Sequence, residues 1–92
     1  MSRINQIFEY WQIPQGEASK ILEDNYSDEF ERDLRQVHRF LQALYPQDEV
    51  CRAWMSKPNG AFKGKQPIQL ILIHGESGLK KIHDYLAGAV QS

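Results

Sequence analysis

The segment Trp54–Leu72, WMSKPNGAFKGKQPIQLIL, decides the fold class, because it leads into the one apolar run of the chain that could be a β-strand. It combines a tryptophan, two prolines, two glycines and three lysines, and it turns apolar at Ile68. Pro67 suits the first position of a helix, where the missing N–H group loses no hydrogen bond. We therefore predict a helix that begins near Pro67 and ends at Gly75. Since this helix is apolar nearly all round, we expect it to lie at the centre of the fold.

The chain before this segment has apolar residues at helical spacing. The spacing predicts a first helix over about residues 3–12 and a second over residues 15–23, separated by Pro14. A longer helix is predicted near residues 27–45, with Ser27 as its N-cap. Its buried stripe is predicted to consist of Phe30, Leu34, Val37, Leu41 and Leu44.

Two further helices are predicted on either side of the opening segment. Asp48 is expected to cap a short helix with an inner face of Val50, Cys51 and Trp54. Ser77 is expected to cap the last helix, whose buried stripe includes Leu79, Ile82 and Leu86. The predicted fold class is all-α, a compact bundle of about five to six short helices with one longer central helix.

Length and composition favour one cytoplasmic domain. Ninety-two residues suit a single domain, in which we separate an N-terminal part (1–45) from a second part (46–92). No run approaches the length of a membrane span, and residues 1–19 lack the apolar core of an export signal. The single cysteine, Cys51, cannot form an internal disulfide, which is typical of a reducing compartment.

The net charge of -1 hides an asymmetry along the chain. Through Cys51 there are five basic and ten acidic residues, whereas from Arg52 onward there are six basic and two acidic ones. Such an asymmetry can steer a charged partner towards one end of a protein. Scattered solvated charges would give the same count, so the alternative of plain solubility stays open.

The lysine-rich stretch GAFKGK, residues 60–65, does not meet the requirements of a phosphate-binding loop. That motif needs four residues between its glycines and a Ser or Thr after the lysine. Here three residues separate Gly60 from Gly64, and Gln66 follows Lys65. We interpret the stretch as a structural connection between helices.

No group of residues indicates a metal site or an enzyme. The candidate ligands do not pair at a metal-ligand spacing; they are His38, His74, His83 and Cys51. Catalysis by Cys51 with a histidine stays open, but no positioning element accompanies it. We predict no catalytic residue, no metal and no cofactor.

The two short N-terminal helices raise the alternative of a helix-turn-helix that binds DNA. Such a motif needs a recognition helix with basic or amide side chains. The third helix begins instead with SDEFERD, residues 27–33, whose carboxylates would repel phosphates. DNA binding by this part is therefore disfavoured, although the basic second half keeps the alternative open.

An ordered set of residues from Trp54 onward resembles the toxin-binding domain of Xre/MbcA/ParS-type antitoxins. The set spans 33 residues and consists of Trp54, Pro58, Asn59, Phe62, Gly64, Pro67, Leu70, Gly75, Gly78, Tyr85 and Leu86. The stretches IFEYW (residues 7–11) and EASKIL (residues 17–22) look like the opening helices of the same family.

This resemblance implies an antitoxin of a type II toxin–antitoxin system. Its partner would be a RES-domain toxin that consumes NAD, and the antitoxin would bind this toxin and occlude its active site. Many relatives also form homodimers and repress their own operon through a helix-turn-helix. We expect a homodimer, but between Leu22 and Phe30 there is no room for a recognition helix. A DNA-binding regulator or an orphan dimeric adaptor is the alternative function.

The resemblance also implies which residues contact the toxin. They come from the lysine-rich loop and the last helix, and are Lys57, Asn59, Lys63, Lys65, Lys81, Tyr85, Gly88, Gln91 and Ser92. We expect Phe62 to anchor the loop. Relatives commonly place Ser at the position of Gln66, so this chain is expected to lose an N-cap of about 1 kcal/mol.

Overall fold

A computed structural model describes residues 4–91 of the protein. Within this range the α-helices are α1 Ile4–Tyr10, α2 Gln15–Asn25, α3 Asp28–Leu44, α4 Asp48–Ala53, α5 Pro67–His74 and α6 Glu76–Gln91. Two short 3₁₀ turns, Trp54–Ser56 and Gly60–Phe62, lie between α4 and α5. Residues 4–91 contain no strand, only an isolated bridge between Asn59 and Lys65. The all-α prediction is confirmed, and residues 68–73 are helical.

The longest two helices, α3 and α6, pack against each other at the centre of the fold. They run in the same direction, because Lys80 lies beside Glu29 and His83 lies further along beside Gln36. Each helix buries one stripe, formed by Phe30, Leu34, Val37 and Leu41 of α3 and by Leu79, Ile82 and Leu86 of α6. Leu44, also predicted in the stripe of α3, is only partly buried. Burial of such side chains stabilises a fold by about 1.5–3 kcal/mol each.

Helix α5 is buried on one side only, so the expectation of a fully central helix is wrong. Ile68, Leu70 and Ile71 face the core, whereas the side chain of Ile73 is 62% exposed. The buried side packs very closely against α6. A Cβ atom added at Gly78 would overlap the carbonyl oxygen of Leu70. Gly78 therefore lets two helix backbones approach each other.

The ends of the helices differ in part from the predicted caps. Ser27 caps α3 as predicted, since its Oγ accepts a hydrogen bond from the Phe30 N–H at 3.0 Å. Asp48 is the first residue of α4 and not its cap. Ser77 lies inside the first turn of α6, and its hydroxyl donates to the carbonyl of His74.

Gln66 does not leave the start of α5 without a side-chain partner. Its backbone N–H donates to Oε1 of Gln69, three residues further on, at 3.0 Å. This is one half of a capping box, in which a side chain reaches back to the residue before the helix. The expected loss of a cap is therefore compensated in part within this chain.

The N-terminal helix is shorter than predicted and is attached to α4 by polar contacts. Helix α1 ends at Tyr10, and Gln12 has a positive φ of 62° in the turn that follows. The hydroxyl of Tyr10 donates to Asp48 at 2.5 Å, and Arg52 bonds the same carboxylate at 2.7 Å. The hydrogen bond from Tyr10, and to a smaller extent the one from Arg52, holds the pKa of the Asp48 carboxyl below its ordinary value.

Two predictions about α4 need correction. Val50, expected on the inner face, is 37% exposed, because the short helix turns only Cys51 towards the core. Trp54 is buried as predicted but belongs to the first 3₁₀ turn. None of the described helices is long and apolar enough to cross a membrane.

Candidate functional site

A row of four aromatic rings fixes the lysine-rich loop to the helices around it. Tyr45, at the end of α3, stacks on Trp54 with ring centroids 6.5 Å apart. Phe62 follows, edge-on to Trp54 at 6.3 Å and edge-on to Tyr85 of α6 at 5.4 Å. Because Phe62 lies between these two rings, the loop cannot move without breaking aromatic contacts. This geometry agrees with its expected role as an anchor.

The loop is closed by its own backbone hydrogen bonds. The N–H of Asn59 donates to the carbonyl of Lys65 at 3.1 Å, and the Asn59 side-chain oxygen accepts from the N–H of Ala61 at 2.9 Å. Lys63 and Gly64 have positive φ angles of 59° and 82°, which turn the chain back. Asn59, predicted as a contact residue, thus holds the turn from within.

The closed loop and the two last helices surround a cavity of about 250 Å³, which we call the lysine cavity. Its lining includes Lys63, Lys65, Lys81, His74, Phe62 and Leu70. Three of the lysines predicted to contact a partner therefore lie together. No aspartate or glutamate of residues 4–91 lines the cavity. Phe62 and Leu70 make part of its lining apolar, and its charged side chains in the described range are all lysines.

The lysines of this cavity have no ion-pair partner among residues 4–91. Their neighbour Lys80 differs, because its Nζ lies 3.2 Å from Glu29 and 3.9 Å from Asp33. The hydrogen bond to Glu29 raises the pKa of Lys80 above its ordinary value. On the side of α6 that carries Lys80, the charge is paired within the chain. On the side that carries Lys81, the charge faces solvent.

The predicted residues on α6 form a continuous face next to the cavity. Lys81, Tyr85 and Gly88 follow one another at steps of four and three residues, which places them on one side of the helix. Tyr85 is 43% exposed although its ring packs on Phe62. Gln91 lies in the last turn and is exposed. Ser92 lies outside the described residues.

Two predicted residues of the loop stand apart from this face. Lys57 and Pro58 are exposed, but neither lines the lysine cavity. Outside its own helix, no described residue comes within 4 Å of a Cβ built at Gly88, a predicted contact residue on α6.

The structure also brings together residues that the sequence interpretation missed. His74 and Leu70 join the cavity because α5 ends beside the loop. Arg32, Arg35 and Arg39 form an exposed basic stripe on α3. Arg35 and Arg39 also line a second cavity of about 350 Å³ between α1 and α3, together with His38. The net acidity of the N-terminal half concealed this stripe, although its spacing of three and four residues indicates one helical face.

The candidate metal ligands and the cysteine lie on different helices, His38 on α3, Cys51 on α4, His74 on α5 and His83 on α6. Residues 4–91 contain no group of three or more His, Cys, Asp or Glu side chains that could hold a metal ion. Cys51 is buried in the core. Burial lowers the pKa of His38, whose Nδ1 has no hydrogen-bond partner among the described residues.

Comparison with known protein families gives one match, and it covers this site. Residues 40–89 match the antitoxin Xre/MbcA/ParS C-terminal toxin-binding domain. The match spans more than half of the chain and contains the aromatic row, the lysine cavity and all but the last two residues of α6. Comparisons with curated proteins and with solved structures gave no significant match.

Proposed function

Because this chain belongs to the Xre/MbcA/ParS family of antitoxins, we propose that it is the antitoxin of a type II toxin–antitoxin system. It neutralises a RES-domain toxin that consumes NAD, by binding the toxin and occluding its active site. The match of residues 40–89 to the toxin-binding domain carries the proposal. The class of the toxin rests on the family resemblance described above.

The surface that binds the toxin consists of the lysine-rich loop and the exposed face of α6. It is suited to an interface because a rigid aromatic, Tyr85, stands beside unpaired lysines and an apolar cavity wall. Tyr85 has a polar tip and an apolar body, and such residues carry much of the binding energy in protein interfaces.

Inhibition in this proposal is steric and uses no reacting group of the antitoxin. The last two turns of α6, residues 85–91, extend beyond the cavity with Tyr85, Gly88, Val90 and Gln91 exposed. A helix end of this kind covers an active-site entrance when the body of the antitoxin is held beside it. The chain itself is then an enzyme inhibitor and not an enzyme.

Co-expression with a RES-domain toxin, sought first in the gene next to that of this chain, tests this function. We expect the toxin alone to deplete cellular NAD and arrest growth, and co-expression of this chain to restore both. The two proteins should also co-elute in size-exclusion chromatography. Failure of the purified pair to associate would overturn the proposal. The mass of the complex would also test the predicted homodimer, which stays a prediction.

A DNA-binding regulator is the second candidate, and the arginine stripe on α3 favours it. Arg32 and Arg39 are exposed and have no ion-pair partner within residues 4–91, so they are free to contact phosphates. A titration with the operon's promoter DNA from about 50 to 200 mM salt tests it, since binding through several phosphates weakens steeply with salt. Absence of binding at the lowest salt would remove this candidate.

A further inference from the structure

We propose that the lysine cavity receives the carboxylate side chain of one aspartate or glutamate of the toxin. This inference rests on the proposed function and adds the chemistry by which the partner is recognised. This acidic side chain of the toxin, which we call the carboxylate anchor, enters between the loop and α6, so that Lys63, Lys65 and Lys81 surround it. Toxin binding then depends on a single charged contact at this position.

The charge of the cavity supports an anionic occupant. Three lysines line one small depression, and no carboxylate of the described chain lies in its lining. Like charges brought together repel each other, and an anion placed among them removes this repulsion. Lys80 shows the alternative, since the chain supplies Glu29 and Asp33 to it. For the cavity lysines the counter-charge comes from outside.

The size and the apolar wall favour a side chain over a free nucleotide. The cavity of about 250 Å³ is smaller than the roughly 300–1,000 Å³ of most small-molecule sites. Phe62 and Leu70 provide a wall against which the methylene groups of an acidic side chain can pack. A carboxylate on a short apolar stem matches both parts of this lining. A dinucleotide such as NAD would extend beyond it.

The walls of the cavity are fixed before a partner arrives. Phe62 lies between two aromatic rings, and the loop is closed by the bridge between Asn59 and Lys65. The opposite wall is fixed because α5 and α6 meet closely at Gly78. A preorganised pocket loses less conformational entropy on binding than a mobile loop does. Only the lysine side chains need to adjust.

Binding of the purified toxin to charge variants tests the inference. By calorimetry, we expect Lys81→Glu to weaken toxin binding at least about 30-fold and Lys81→Ala about tenfold, because the anchor loses its counter-charge. The matched control is Lys80→Ala on the same helix, outside the cavity. It should bind within about twofold of the original chain. Circular dichroism should show the same helicity for all three variants.

A charge reversal on the toxin identifies the anchor itself. One Asp→Lys or Glu→Lys variant of the toxin should bind the Lys81→Glu chain more tightly than it binds the original chain. If Lys81→Glu binds the unchanged toxin as tightly as the original chain does, the inference is wrong although toxin binding stands. If the original chain does not bind the toxin at all, the proposed function is wrong. Binding of NAD to the antitoxin alone at millimolar concentration would overturn the carboxylate anchor, because the cavity would then take a nucleotide.

Discussion

The two sides of α6 differ in whether their lysines form ion pairs within the chain. The side that packs on α3 pairs Lys80 with Glu29 and joins His83 to Gln36 through a hydrogen bond of 2.6 Å. The side that faces the loop leaves Lys81 without an ion-pair partner among residues 4–91, beside two more lysines. Both sides share the same backbone and the same buried stripe. We therefore relate the difference in charge pairing to function: one side of α6 packs on α3, and the other is the side that we propose to bind the toxin.

This difference separates stability from recognition within one helix. The exposed ion pair of Lys80 with Glu29 joins α6 to α3 and adds a little stability, whereas unpaired charges of one sign add none and repel one another. A helix can keep such charges when the core beneath it is well packed, as it is at Leu79, Ile82 and Leu86. If stability and recognition are separate in this way, substitutions should affect them to different degrees, from a large loss of stability in the core to almost none at the surface lysines.

Trp54→Ala should have the largest effect on stability, because it removes a buried ring that packs between the end of α3 and the loop. Trp54 is buried and contacts Tyr45 and Phe62, so its loss opens a cavity under the loop. We expect a loss of about 3–5 kcal/mol in the free energy of unfolding and loss of toxin binding together. Urea denaturation measures the first quantity. A variant with an unchanged midpoint would show that the aromatic row does not support the fold.

Gly78→Ala should have the next largest effect and should act through the backbone contact of α5 with α6. The added methyl group would overlap the carbonyl of Leu70 and push the two helices apart, at a cost of about 1–3 kcal/mol. Gly88→Ala is the matched control on the same helix, where no described residue outside that helix lies within 4 Å of the new Cβ. The control should stabilise the chain by up to about 1 kcal/mol through helix propensity. Equal melting of the two variants would contradict the close approach at Gly78.

The elements of the fold could be predicted from the sequence because each has a local signal. Pro67 and Gly75 mark the two ends of α5. Ser27 caps α3 by accepting a hydrogen bond from the N–H of Phe30, three residues further on. The wrong caps at Asp48 and Ser77 have the same origin. Each has a residue type that suits a cap, but α4 begins at Asp48 itself and α6 begins at Glu76, before Ser77.

The arrangement of the site could be predicted only in part, because it depends on contacts distant in sequence. Lys63 and Lys65 were identifiable from the loop, but their meeting with Lys81 and His74 follows from how α5 and α6 fold back. The pairing of Lys80 with Glu29, 51 residues away, likewise has no local signal. The sequence identified the residue types at the surface, and only the packing distinguishes paired from unpaired lysines.

Deletion of residues 88–92 should separate recognition from stability most clearly. The residues of this segment that the structure describes are at most half-buried, and the core stripe of α6 ends at Leu86, before the deletion. We expect the melting temperature to change by only a few degrees, a shift that corresponds to less than about 1 kcal/mol. Neutralisation of the toxin should be lost, because the helix end no longer covers its active-site entrance. Growth rescue at the original level by the shortened chain would contradict occlusion by α6.

Lys80→Ala and Lys81→Ala should show the smallest effects on stability, and these should have opposite signs. Lys80→Ala removes the contact with Glu29 and lowers the melting temperature slightly at low salt, and high salt should reduce the difference by screening. The pKa of Lys80 is raised above its ordinary value of 10.5, chiefly by the hydrogen bond to Glu29. Its contribution is therefore present below pH 10.5 and is lost as the pH rises through the raised pKa. Lys81→Ala removes one of three like charges and should leave the melting temperature unchanged or raise it slightly. Thermal melts of both variants in low and high salt at pH 7 measure the contrast, and a larger loss for Lys81→Ala would mean that the loop side of α6 also stabilises the fold.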